Sequence, residues 1–175
     1  MDDSDDPAGS MLNKMNVSSV PEPLENITGY RIRRLHSLFV AHWSGWFGVR
    51  GLSLTPVQGG ILLLIASNSD STQTALARQL KVEGPTLLQA LAPLVANGYV
   101  LRRSAPNDRR VKMLSLSPAG KRATQIIRTD LKQHEDDLLR MLTPRQRKQF
   151  FQLLCAALRS AEATVEGVPA KREND

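Results

Sequence analysis

The 175-residue chain carries 23 Lys and Arg against 17 Asp and Glu, a formal net charge of +6, with 41% hydrophobic and only 5% aromatic residues. That is enough chain for one domain with a mostly aliphatic core and a dimerisation layer beside it. A single cysteine, Cys155, excludes an intramolecular disulfide framework, and no apolar stretch is long enough to span a bilayer. The N-terminus is acidic (Asp2, Asp3, Asp5, Asp6) and lacks a basic n-region and an apolar h-region, so a cytoplasmic protein with no membrane partner is expected.

Residues 1–22 are polar, punctuated by Pro7, Gly9 and Pro21, and read as a disordered tail. Residues 23–53 form an N-terminal helical segment, with the helix itself from about Leu24 to Val49. Leu35, Leu38, Phe39, Ala41, Trp43, Trp46 and Phe47 cover more than one of its faces, so two partners are needed to bury it. Arg50-Gly51 ends it. Thr55, Pro56 and Gln58 then supply an N-cap, a first-turn proline and a capping box for a helix whose Ile61, Leu62, Leu64 and Ile65 are core. Ser67 to Ser71 reads as a loop, and Ser71 or Thr72 caps the next helix.

The stretch from Ser71 to Arg122 organises the chain. Leu76, Ala77 and Leu80 give a first helix its apolar stripe. A second helix starts at Pro85 and ends near Asn97-Gly98, where glycine can take a left-handed cap. Tyr99 to Leu101 suits a strand, Ser104 to Asp108 a turn, and Val111 to Leu116 a second strand. This is a helix-turn-helix followed by a β-hairpin wing, within a DNA-binding unit at 54–117.

Residues 118–165 hold two further helices. Ser117-Pro118 opens one that runs to about Leu142, with Ala123, Ile126, Ile127, Leu131, His134, Leu138 and Leu142 roughly on one stripe. Thr143 and Gln146 form a second capping box for a helix with Phe150, Leu153, Leu154, Ala157, Leu158 and Ala161 inward. The small winged unit cannot cover both, which implies a helical homodimer interface. Residues 166–175 read as a frayed tail. The expected fold is mainly α with a small β-hairpin wing (α+β): a winged helix-turn-helix domain plus a helical dimerisation region formed by the N- and C-terminal helices.

Arg102, Arg103, Arg109, Arg110, Lys112, Lys121 and Arg122 are opposed locally only by Asp108, which favours a polyanionic partner. Beside a helix-turn-helix, that partner is double-stranded DNA. The N-terminal part of a recognition helix reaches base edges in the major groove. Here it offers Gly84, Pro85, Thr86, Leu88 and Gln89. Gln89 can pair bidentately with adenine, Thr86 can hydrogen-bond or pack on a thymine methyl, and Pro85 and Leu88 can add apolar contact. Arg103, Asn107 and Lys112 are candidate phosphate contacts, as are Thr72 and Gln73 at a helix N-terminus; Arg109 or Arg110 would enter an adjacent minor groove.

On LTPVQGGILLLIA (Leu54–Ala66), TALARQLKVEGPTLLQAL (Thr74–Leu91), NGYVLR (Asn97–Arg102), NDRR (Asn107–Arg110) and LSPAGK (Leu116–Lys121), the chain resembles the MarR/SlyA-type winged helix-turn-helix regulators over roughly residues 24 to 163. The resemblance implies a homodimeric repressor on a pseudo-palindromic operator, with Asp108 orienting Arg110 and Arg109 left to meet DNA. It also implies release by a small aromatic or phenolic-acid-like effector held between the dimer helices and the DNA-binding lobe. Arg33, His36, Phe39, Val40, Trp43, Phe47 and Arg50 are the lining this chain offers. The alternative within the same resemblance is a SlyA-like anti-silencer that binds DNA broadly without a dedicated effector. Two departures stand out: Gln89 occupies a place where relatives commonly carry Arg, and Pro93 falls mid-helix. A proline there removes the bond to the Gln89 carbonyl, so either a kink re-aims the reading residues or the helix boundary lies elsewhere.

Other chemistries find little support. Cys155 lies in an apolar run, away from the helix start where oxidant-sensing relatives carry their cysteine. His36, His42 and His134 show no metal-ligand spacing. The chain has no phosphate-binding glycine loop, no Cys-x-x-Cys and no nucleophile elbow, so neither an enzyme nor a cofactor is expected.

Overall fold

The computed structural model describes residues 24, 26–68, 71–106, 108 and 110–166. The tail expected at 1–22 and nearly all of that expected at 166–175 lie outside the described residues. The chain groups into two compact units, one ending at His42 and one beginning at Trp43.

Helix α1 (Thr28–Gly48) provides most of the described part of the first unit and opens the second. It starts later than expected, because Asn26 and Ile27 form a turn in which Ile27 N–H bonds the Leu24 carbonyl at 3.2 Å. In the first unit Arg33 stacks on the Tyr30 ring at 5.8 Å, and Ile32, Leu35 and Leu38 are exposed. In the second, α1 is stopped by Gly51, whose φ of +75° lets Leu52 N–H turn back to the Phe47 carbonyl at 3.0 Å.

Helix α2 (Pro56–Ser67) begins with the expected capping box. Thr55 Oγ1 accepts from Gln58 N–H at 3.2 Å, and Gln58 Oε1 accepts from Thr55 N–H at 2.9 Å. There follow β1 (Ser71–Thr72), α3 (Gln73–Leu80), α4 (Gly84–Ala96), β2 (Val100–Ser104), β3 (Lys112–Leu116), α5 (Pro118–Leu138) and α6 (Pro144–Glu166). The sheet has order β1-β3-β2, all antiparallel, with Ser71 opposite Leu114 and Arg102 opposite the same residue on the other side. The expected two-stranded wing is thus a three-stranded sheet. Ser71 and Thr72 occupy the outer edge of β3, and two residues are too few to show a strand period.

The end expected for the second helix of the helix-turn-helix is observed, and two other expectations change. Helix α4 runs through Pro93 to Ala96, with Asn97 N–H bonded to the Pro93 carbonyl at 2.9 Å. Pro93 faces solvent, so the missing bond falls where water can replace it. Helix α5 ends at Leu138 rather than Leu142, because Arg140 and Leu142 close tight turns onto Asp137 and Leu139 before the Thr143–Gln146 box starts α6. On α6, Leu153, Leu154 and Leu158, expected inward, are 63%, 40% and 56% exposed, and the single chain leaves them uncovered.

The core joins α2, α3, α4, the sheet and α5 through Ile61, Leu62, Leu76, Leu87, Leu91, Leu94, Val100, Leu114, Ala123 and Ile127. A second cluster surrounds the fully buried His134, whose ring lies 5.5, 6.0 and 5.7 Å from those of Trp43, Trp46 and Phe47. Trp43 also donates its indole N–H to the Leu54 carbonyl at 2.8 Å, so α1, α2 and α5 meet at one aromatic joint.

Candidate nucleic-acid interface

Helix α4 is two-faced. Leu87, Leu91 and Leu94 are at most 1% exposed and seat it on α2, α3 and β2, while Gly84, Pro85, Thr86, Leu88 and Gln89 are exposed. Glu83 is the N-cap residue, its carbonyl receiving Leu87 N–H at 3.0 Å, and Pro85 fixes the first turn. The five residues expected to meet base edges therefore lie at the start of one anchored helix with their side chains in solvent.

The turn between α3 and α4 passes through Lys81, the one non-glycine among the described residues with positive φ (+51°). It caps α3 in the left-handed conformation, and its ammonium meets Glu162 of α6 at 3.0 Å. Thr72 is the N-cap of α3, its hydroxyl accepting Ala75 N–H at 3.1 Å. Gln73, also expected at a phosphate, turns its Oε1 out of solvent. A phosphate takes donors, and what Gln73 offers one is the main-chain N–H of this helix start and its amide nitrogen.

In the hairpin, Val100 is buried but Leu101 to Ser104 are all exposed, so Arg102 stands beside Arg103 as a second solvent-facing cation. Sequence reasoning named only Arg103, and the clustered charge is the signal for both. Lys112 Nζ donates to Ser104 Oγ at 2.9 Å across the strands. At the tip, Asp108 Oδ1 accepts the main-chain N–H of Arg110 at 2.8 Å, and Val111 N–H returns to the Asp108 carbonyl at 3.1 Å. Asp108 thus holds Arg110 by its backbone. Asn107 and Arg109 lie outside the described residues.

The residues expected to hold an effector are divided between the two units. Arg33 and His36 are exposed, and Phe39 and Val40 half-buried, in the first unit. Trp43 and Phe47 are core, at 3% and 0% exposure, with ring centroids 4.3 Å apart. Their aromatic period comes from filling the joint around His134, so they present no open face. Arg50 is also committed: Nε pairs with Asp130, Nη1 donates to the Trp46 carbonyl at 2.5 Å, and the guanidinium lies 4.6 Å over the Trp46 ring. A shallow cleft of about 450 Å³ lies beside that pair, lined by Arg50, Gln125, Ile126, Thr129 and Asp130.

Among the described residues, no group of three or more His, Cys, Asp or Glu could hold a metal ion, and no helix is long and apolar enough to cross a membrane.

The MarR family model matches residues 52–111, from the segment after α1 to the hairpin tip. A Thauera aromatica protein described as a transcriptional regulator for the hcr operon is 28% identical over 115 residues, 66% of this chain and 69% of its own length. The repressor CouR, bound to a 23-mer DNA duplex, superposes with a TM-score of 0.70 at 25% identity, covering 81% of this chain and 99% of that one. The PcaV regulator of Streptomyces coelicolor, in complex with its natural ligand, gives 0.68 at 19% identity, covering 82% and 99%. These neighbours are transcriptional regulators rather than enzymes. The winged helix observed here and the match across residues 52–111 make the chain similar to the MarR-type transcriptional regulators.

Proposed function

We propose that the protein is a homodimeric, cytoplasmic repressor that binds a pseudo-palindromic operator and is released from it by a small aromatic or phenolic acid. The observation that carries the DNA-reading part is α4: a helix locked down by Leu87, Leu91 and Leu94 with Thr86 and Gln89 presented to solvent. In this reading Gly84, Pro85, Thr86, Leu88 and Gln89 enter the major groove, and Arg103, Lys112 and Thr72 meet phosphates. Arg102 joins them, and Arg110 approaches the minor groove from a tip set by Asp108. The DNA-binding unit is 54–117.

Segments 23–53 and 118–165 supply the dimer. The uncovered Phe151, Leu153, Leu154 and Leu158 of α6 support this, since a soluble monomer rarely leaves so large an apolar surface open. Two copies place two reading helices about one turn of DNA apart. Effector response is supported by CouR and PcaV, which share the fold and were solved on DNA and on a ligand respectively. Arg33 and His36 offer the charge and hydrogen bonds an acid requires, and Phe39 and Val40 the apolar contact. A ligand that prefers the non-binding arrangement of the wings lowers DNA affinity by that preference.

The test is fluorescence anisotropy of the purified protein on DNA from upstream of its own gene, repeated with a panel of aromatic acids and their acyl thioesters. Tight binding lost with one compound supports the whole reading. A specific-to-non-specific ratio below about tenfold replaces the operator-bound repressor by a broad DNA binder, since operators usually exceed about 10³.

A further inference from the structure

The reading helix carries no ionised side chain: Gly84–Ala96 contains no Asp, Glu, Lys or Arg. The cations stand elsewhere, with Arg102, Arg103 and Arg110 exposed on the hairpin. Contacts to bases and contacts to phosphates are therefore assigned to different elements, and the base-reading element is neutral. Guanine is read in the major groove by Arg or Lys spanning O6 and N7, and α4 has neither. Its long polar side chain is the exposed Gln89, whose amide matches adenine N6 and N7.

Apart from Thr86, the exposed surface around Gln89 is apolar. Leu88 is 40% exposed on one side, and Pro93 is exposed one turn further along the same face. In a major groove, the apolar feature that such groups can meet is the thymine C5-methyl. We propose that α4 selects an A·T core in each half-site, Gln89 pairing with adenine while Leu88 and Pro93 pack on thymine methyls, and that guanine is disfavoured at those positions. This rests on the sequence-specific DNA binding proposed above and names the bases that binding would select.

The experiment is enrichment of bound sequences from a random-duplex library by the full-length protein, followed by affinity measurements on the selected duplex with deoxyuridine in place of thymidine. The expected result is an A·T core whose affinity falls about fourfold for each contacted methyl removed, the value of one buried methyl-sized group. Leu88→Ala, at an exposed position, should abolish part of the thymidine-to-deoxyuridine difference. Gln89→Arg should move one selected position from adenine to guanine. A G·C core, or a deoxyuridine duplex bound as tightly as the parent, overturns this proposal and leaves the regulator reading standing. No enrichment at all overturns both.

Discussion

A β carbon on Gly120 would run into the main-chain oxygen of Tyr99, far inside any distance a side chain tolerates. The same oxygen accepts Ser117 N–H at 3.0 Å, while Ser117 Oγ donates to the Gly98 carbonyl at 2.5 Å and accepts Gly120 N–H at 3.0 Å. The first turn of α5 is thus docked onto the entrance of β2, and Gly120 is what lets it close. Because the obstacle is backbone, Gly120→Ala should incur at least the upper part of the usual overpacking penalty, about 3 kcal/mol. A denaturation midpoint equal to the parent's would contradict the contact.

Gly59 makes a second close approach, to a side chain. A β carbon there would meet Trp43 Cζ2 at 2.5 Å. Gly59→Ala should destabilise by about 1–3 kcal/mol and Trp43→Leu by about 2–4 kcal/mol, since the ring is buried. Their effects should not add: with the ring gone the alanine methyl has room, so the double variant should be more stable than the sum by at least about 1 kcal/mol. Additive losses in a thermal-melt cycle would place the strain elsewhere. Trp43 is accordingly a stability probe, and effector response is better examined through Arg33 and His36.

The glycines also mark where the sequence is readable and where it is not. The Leu-Ser-Pro-x-Gly run announces a helix start, and Ser117 and Pro118 behave as their local chemistry requires. The need for glycine at 120 comes from Tyr99, a contact between elements that no local pattern encodes. Likewise the two capping boxes at Thr55 and Thr143 are legible because their partners lie three residues away. The pairing of Arg50 with Asp130, 80 positions apart, is not. The aromatic period along α1 is legible too, and by itself suggests a cleft. In the structure Trp43 and Phe47 pack around His134, and a period shows which residues share a face but not what covers it. The solvent face of α4 is visible from its own spacing, since leucines at 87, 91 and 94 leave only one side for solvent.

The exposed apolar face of α6 gives a prediction about assembly. Phe151 and Leu158 are 65% and 56% exposed in the single chain, so replacing both by Glu should leave each subunit's fold intact. Light scattering should then report a monomer in place of the proposed dimer, and affinity for a two-half-site duplex should fall toward that for one half-site. A variant that remains dimeric would move the interface off α6.

Asp136 supplies a pH dependence. Its carboxylate lies 2.5 Å from Lys132 Nζ and 2.6 Å from Arg147 Nη1. The hydrogen bond from Lys132, aided by the Arg147 contact, holds its pKa below the ordinary aspartate value of 3.8. A carboxylate depressed on folding contributes stability above its unfolded pKa and loses it as pH falls through the folded value. Relative to Asp136→Asn, the parent's advantage should therefore be constant from neutral pH to about pH 5 and disappear in the acid range below 3.8. Because the pair is exposed, the advantage should also shrink with added salt. An advantage that grows on acidification would have the wrong sign for this pairing.

Separating neutral base-reading from charged anchoring predicts two kinds of binding defect. Arg102 and Arg103 are exposed on β2 and Lys112 is on the paired strand β3, while α4 holds no charge. Removing one cation that neutralises a phosphate should reduce the slope of log K against log salt by about 0.9, because one fewer counterion set is released on binding. Arg103→Ala should therefore weaken all duplexes alike and flatten the salt dependence by about that amount, with Arg102→Ala showing whether its neighbour also reaches a phosphate. Gln89→Ala should do the reverse, leaving the slope unchanged while losing about 1–3 kcal/mol of discrimination at one base pair. Titrations of the parent and the three single variants at four salt concentrations, on a selected and a scrambled duplex, distinguish the two. If Gln89→Ala altered the slope, or Arg103→Ala altered sequence preference, base reading and phosphate anchoring would not be divided between α4 and the hairpin.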